Sequence, residues 1–428
     1  MAETPPFPSF TVPAVTAAIF ASLYALHAFG QETLYQTILS HWGIVPFNFP
    51  FVDIHFVLSS RECWRQGVDV YATNPCDALG RVFNYSPALL WAPAFNLGTV
   101  NTRAAGLIVD GLFLLSLLAL PAPRGLLHTV LMLFGTLSTM TVFAVERANM
   151  DLLIFALTAL AGRLLLRSLA ARLSAFAVIS LAALIKFYPA VLLVVTLRER
   201  PRLFLAVNAV AAAMLMVFAV AYHAELALVF ANLPKRLYFQ DMFGAANLPH
   251  GLAAFFPSLQ PAPLLAALLT ATGCLAVWLA CRPGLGVAWA RLSQSETVFL
   301  VIGCALMTGC FYAGGSVGYR GVFLIFALPG FLALARSAET AAIGALFSVV
   351  ALLVIFVMWG EFFRVAIDDS IASPWVNFAF WLGRELIWWW IMGVMGALLL
   401  RFAFHSEIGR HLGFAVSADR PFWNGHLK

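Results

Sequence analysis

LSAFAVISLAALIKFYPAVLLVVTL, residues 173–197, holds one charged side chain, Lys186, and arginines crowd both of its ends: Arg163, Arg167 and Arg172 before it, Arg198, Arg200 and Arg202 after it. A run this apolar belongs in a bilayer. Arginine-rich short loops stay on the cytoplasmic side, so a single crossing would strand one cluster on the wrong side. The stretch is therefore expected to turn back on itself at Lys186, Phe187, Tyr188 and Pro189, where the proline favours a break. Two arms of roughly a dozen residues fall short of a ~30 Å hydrocarbon core, so the hairpin has to pack within protein or line a cavity.

The rest of the chain is of the same kind. Of 428 residues, 62% are hydrophobic and 11% charged, and the mean hydropathy is +0.90, far outside the range of soluble domains. Apolar runs fall near 11–29, 85–100, 104–121, 126–145, 149–162, 173–197, 203–222, 262–281, 296–313, 318–335, 339–359 and 384–402. The expected fold is all-α: a polytopic membrane protein with about 11–13 membrane helices, short or broken ones included. No linker, low-complexity tract or internal repeat divides residues 1–428, which read as one integral membrane domain. The start, Met1 to Phe10, lacks the basic region of a cleavable signal, so the first run reads as a retained helix. A net charge of +5, 25 basic against 20 acidic side chains, is too small and dispersed for nucleic acid.

Arg282, Arg291, Arg336, Arg401 and Arg410 mark further cytoplasmic ends. They put residues 223–261 (the second large loop), 314–320 and 360–383 outside and the C-terminus inside; residues 30–84, the first large loop, are expected to face outward as well. If residues 146–151 also face outward, one run between 85 and 145 must dip without crossing; 85–100, short and containing Pro87 and Pro93, is the candidate. Cys274, Cys281, Cys304 and Cys310 lie in apolar runs and read as small buried hydrophobes. Cys63 and Cys76 lie in the first polar loop; a disulfide in an oxidising compartment and two unrelated thiols are both open.

Charges in or beside a membrane are costly, and four groups of them stand on the expected outer face. Asp53, within PFVDIH, is a candidate general base, against the reading of a solvated loop carboxylate. It is followed by Gly67-Val-Asp69-Val-Tyr71, where Asp69 reads as a turn or cap residue, and by Tyr85-Ser86-Pro87. In Glu146-Arg147-Ala-Asn149-Met-Asp151 the arginine suits a phosphate, Asn149 or Asp151 a helix cap, and an internal ion pair is the alternative. Lys186 with Tyr188 suits an anion or a snorkelling side chain. Gly314-Gly-Ser-Val-Gly318-Tyr319-Arg320 suits close approach to a phosphate, and Lys235, Arg236 and His250 add polar groups to the second loop. There is no Walker loop, no dinucleotide fingerprint and no metal-ligand spacing, which argues against nucleoside triphosphates; one acid in the first loop with several separated cations implies an anionic, lipid-borne substrate met on the outer side.

Taken in order, these residues resemble the membrane glycosyltransferases of the C-type fold, in particular the polyprenyl-phosphate-mannose-dependent mannosyltransferases of glycosyltransferase family 87. The resemblance is carried by Asp53, Gly67 to Tyr71, Tyr85 to Pro87, Arg147 to Asn149, Lys186 to Pro189, and Tyr319 with Arg320. Ser86 departs from it where a second proline is common, and Glu146 where a small residue is usual. The resemblance implies an inverting, metal-independent transfer of a hexose, mannose by family weight, from a polyprenyl-phosphate sugar to a glycolipid or glycan acceptor at the periplasmic face of a bacterial inner membrane. It implies Asp53 as base and Arg147, Lys186, Tyr188, Arg320 and His250 as donor or phosphate contacts, with no cofactor. A transporter or flippase of an anionic lipid is the alternative, although transporters built from repeats show paired broken helices and only one break is apparent here.

Overall fold

Helices dominate the computed structural model, which describes residues 8–91, 97–232, 239, 241–336, 341–371 and 373–413. Of the described residues 78% are helical, and among them the only strands are Met242–Phe243 and Ser316–Val317, paired antiparallel. Eight described helices are long and apolar enough to cross a bilayer: Thr11–Ala28, Thr99–Ala119, Pro201–Ala221, Pro261–Ala280, Gln294–Ala313, Gly318–Arg336, Ala341–Met358 and Pro374–His405. A ninth candidate is the pair Leu126–Thr136 and Thr139–Glu146, bent by 46° where Ser138 caps the second helix through Thr141. The all-α polytopic class is thus present. The expected 11–13 helices reduce to eight full-length candidates because several apolar runs are too short to cross. Within 85–100, for example, the described part holds only the four-residue helix Ala88–Trp91 and, at its end, the first residues of a 3₁₀ turn; Pro93 lies outside the described residues.

Residues 173–197 do double back. The helix Leu169–Ile185 gives way at Lys186 and Phe187 to a 3₁₀ helix, Tyr188–Arg198, with Pro189 in its first turn, where the missing N–H leaves no bond unmade. Arg172 near the start and Glu199 after the end form a two-pronged ion pair at 2.8 and 3.2 Å that closes the hairpin's base. At ~1.5 Å per residue the first arm reaches about 25 Å, which puts Lys186 at the far end from the arginines.

Gln294–Ala313 and Gly318–Arg336 form the centre of the bundle, with 83% of each apolar stretch buried, against 6% for Pro201–Ala221 on the periphery. Their backbones approach closely: a Cβ at Gly303 would lie 2.6 Å from the Ala327 nitrogen. Small residues allow such approaches where helices pack inside a membrane. Cys304 and Cys310 are buried here, whereas Cys274 and Cys281 are exposed, contrary to the expected burial, because they sit on and after a peripheral helix.

The polar first loop is not irregular. It contains the helices Glu32–His41 and Val52–Arg65 and a disulfide between Cys63 and Cys76 with Cα atoms 5.8 Å apart. Glu62 accepts from the Thr99 backbone N–H at 2.7 Å and so caps the start of the next membrane helix. Asp69 accepts from the Tyr71 N–H at 3.0 Å, the turn role expected of it.

Candidate functional site

Two peptide hydrogen bonds fasten the start of the Val52–Arg65 helix to the turn that precedes Met150–Leu165. Phe51 N–H donates to the Glu146 carbonyl at 2.7 Å and Asp53 N–H to the Arg147 carbonyl at 3.1 Å. The two described non-glycine residues with positive φ flank this clip, Phe51 at 67° and Ala148 at 45°. Each costs on the order of 1–3 kcal/mol and persists only where surrounding structure enforces it. The strain lies where the sequence places its candidate base.

Asp53 is buried, and both of its oxygens are engaged. Oδ1 accepts from the Arg81 guanidinium at 3.1 Å, and Oδ2 accepts from the Asn149 amide at 2.6 Å. Arg81 is itself held by Asp77, with its Nε at 3.0 Å from Oδ2 and a terminal nitrogen at 3.0 Å from Oδ1, and it donates to the Val52 carbonyl at 2.8 Å. Burial pushes the Asp77 carboxyl up, yet the hydrogen bonds from the Arg81 side chain and backbone outweigh it and hold the acid below its ordinary value. Two carboxylates share one guanidinium, so this half of the site carries a formal charge of −1.

Asn149 joins that half to a cationic one. It is the N-cap of Met150–Leu165, where its Oδ1 accepts from the Asp151 N–H at 2.9 Å, and the same oxygen lies 3.4 Å from the Lys186 ammonium. Asp151, with no exposed side-chain surface, meets Lys186 at 2.5 Å, the Tyr188 hydroxyl at 2.7 Å and Arg320 at 3.9 Å. Two cations share one carboxylate, so this half is formally +1. Aromatic faces complete it: Lys186 lies 5.0 Å from the Tyr85 ring centroid, and Arg320 5.0 Å from that of Tyr188.

A cavity of about 160 Å³ opens beside the cationic half, lined by Lys186, Tyr188, Arg320, Tyr85, Tyr319 and the backbone around Gly314–Ser316. Its glycine-rich wall leads into the strand Ser316–Val317. At Gly318 the Asp241 carboxylate leaves no room for a Cβ, and the Asp241 carbonyl accepts the Gly318 N–H at 2.9 Å. Ser86 donates to the Leu184 carbonyl at 2.5 Å and ties the Tyr85–Pro87 segment to the hairpin just before Lys186.

Of the residues singled out from the sequence, Asp53, Lys186, Tyr188 and Arg320 belong to one connected network, and the last three line the cavity. Arg147 contributes its backbone carbonyl to the clip, while its guanidinium packs on Phe143 at 4.0 Å and Phe47 at 4.6 Å and lies 3.9 Å from Glu146. It does not line the cavity. His250 sits on the helix Asn247–Phe255, its Nδ1 2.8 Å from the Ala246 carbonyl, and does not line the cavity either. Lys235 and Arg236 lie outside the described residues. Sequence reasoning did not single out Arg81, the role of Asn149 as a bridge, or Asp151 as the centre of the cationic half. The spacing of Asp77 and Arg81, four residues apart, was the available sign of the first. Among the described residues no three His, Cys, Asp or Glu side chains are grouped so as to hold a metal ion. Comparison of the chain with family models, curated proteins and solved structures finds no match to any of them.

Proposed function

We propose that this chain is a C-type-fold membrane glycosyltransferase. It moves a hexose, mannose on the strength of the motif resemblance, from a polyprenyl-phosphate donor to a lipid or glycan acceptor, with inversion and without a metal. The observation that carries this reading is the continuous link from Asp53 through Asn149 to Lys186, Asp151 and Arg320. An acid and a pair of cations joined through Asn149 and Asp151 match the two charges that such a transfer develops.

The acceptor oxygen attacks the anomeric carbon while the bond from that carbon to the phosphate oxygen breaks and its electron pair stays on the phosphate. The acceptor proton passes to Asp53. A carboxylate offers about four lone-pair sites; the two bonds from Arg81 and Asn149 leave capacity for a hydroxyl. Lys186 and Arg320 stabilise the leaving phosphate electrostatically from the cavity wall.

The same helices support an outward-facing site. Met150–Leu165 starts beside Asp151 and carries Arg163 in its last turn; Gly318–Arg336 starts beside Arg320 and ends in Arg336. With Arg172 and Arg198 at the hairpin's base, these four arginines lie at the end opposite the cavity. Cytoplasmic retention of arginine-rich loops supports a site facing the periplasm.

The test is purified protein in liposomes with a polyprenyl-phosphate hexose and candidate acceptors. Formation of hexosylated acceptor together with free polyprenyl phosphate is the expected result. Movement of the donor lipid between leaflets without any sugar transfer would overturn it in favour of a transporter.

A further inference from the structure

A second cavity, of about 520 Å³, is lined by the membrane helices Thr11–Ala28 and Thr99–Ala119 and by Pro50 and Phe51, just before the helix that carries Asp53. Phe20, Tyr24, Phe51 and Leu114 give it apolar walls, and two carboxyl groups, Asp110 and Glu146, line it as well. Both are buried, at 8% and 5% exposure; Asp110 Oδ1 has no hydrogen-bond partner, and beside Glu146 stand only the Phe47 backbone N–H and the Arg147 Nε at 3.9 Å. Such groups inside a membrane are costly unless something supplies the missing donors. Phe29, 82% exposed just past the end of Thr11–Ala28, and Leu107, 47% exposed on the second helix, also line it, so the cavity reaches the outer surface of these membrane helices.

We infer that this cavity holds the chain of a membrane lipid whose head is a neutral hydroxyl that donates to Asp110 and Glu146. Hydrogen-bonding capacity selects that head. A phosphate brings acceptors to buried oxygens that lack a donor. A hydroxyl brings the donor and satisfies a buried acceptor. The preference is the reverse of that of the first cavity, whose wall carries Lys186 and Arg320. Phe51 lines the second cavity two residues before Asp53, so the hydroxyl end lies next to the acid half of the site. The binding stands by itself; that its occupant is the acceptor for transfer rests on the function proposed above.

The experiment uses the full-length protein in phosphatidylcholine nanodiscs with a 1-hexadecanol probe carrying a photoreactive diazirine in its chain, and peptide mapping of the adduct. Adducts are expected within residues 20–29 and 107–114, displaced by unlabelled hexadecanol but not by hexadecyl phosphate at the same concentration. Leu114→Trp, which fills the cavity, is expected to abolish them. The double variant Asp110→Asn/Glu146→Gln is expected to weaken displacement by hexadecanol about tenfold, the loss of one hydrogen bond. Equal displacement by hexadecyl phosphate, or adducts untouched by both variants, would overturn the inference. Labelling needs no sugar donor, so specific adducts on a protein without transfer activity keep the cavity and refute the transferase, and transfer without adducts does the reverse.

Discussion

Replacing Asn149 by serine separates the two tasks its side chain performs. The amide oxygen caps Met150–Leu165 through the Asp151 N–H at 2.9 Å, and the amide nitrogen donates to Asp53 at 2.6 Å. Serine keeps a capping oxygen and loses the donor; alanine loses both. A cap is worth about 1 kcal/mol, and a hydrogen bond to a buried charged group about 1.5–3 kcal/mol. Asn149→Ser is therefore expected to cost about 1.5–3 kcal/mol and Asn149→Ala about 1 kcal/mol more in equilibrium unfolding in mixed micelles. Both are expected to lose most transfer activity, because each uncouples Asp53 from Lys186. Asn149→Asp is the harsher test: two carboxylates at about that separation repel by about 6 kcal/mol at an effective dielectric of ~20, so one must hold a proton and transfer is lost. Equal stability of the serine and alanine variants would refute the capping role. Full transfer by Asn149→Ser would refute the bridge.

Arg81→Ala leaves Asp53 and Asp77 without their shared guanidinium; a loss of about 3 kcal/mol in unfolding and of transfer is expected, with Arg81→Lys retaining part of both. Cys63→Ser/Cys76→Ser opens a loop with a sequence separation of 13 and is expected to lower stability by about 3 kcal/mol. In intact cells the native pair should accept a maleimide only after reduction. Asp77, held below its ordinary value when folded, contributes stability that is present above the unfolded carboxyl value and lost as pH falls through the folded one. Unfolding titrations from pH 6 down to about pH 2 should therefore show a loss confined to the acid end and absent in Asp77→Asn.

Most of the bundle was legible because lipid leaves few choices for an apolar run. The runs 203–222, 262–281 and 296–313 become Pro201–Ala221, Pro261–Ala280 and Gln294–Ala313. The hairpin was legible for a different reason, the arginines at both its ends. The last helix was not: its run was set to begin at residue 384, yet the helix starts at Pro374. Arg384, the first residue of that run, is buried against Glu361 at 2.5 Å, and the helix extends ten residues before it. In the site, the residues that stood alone in apolar surroundings, Lys186 and Arg320, were easy to find. Arg81 was not, because it lies in a polar loop 28 positions from the acid it holds, and no local pattern encodes that pairing.

The rate of hexose transfer by Asp53→Asn, set beside that of the unmodified protein in the same liposomes, tests the proposed chemistry most directly. The amide is close in shape to the acid and has no basic oxygen to take a proton. A fall of about 10²–10⁴ in kcat with donor binding retained is the expected result. Transfer at the full rate would contradict the assignment of Asp53 as the base.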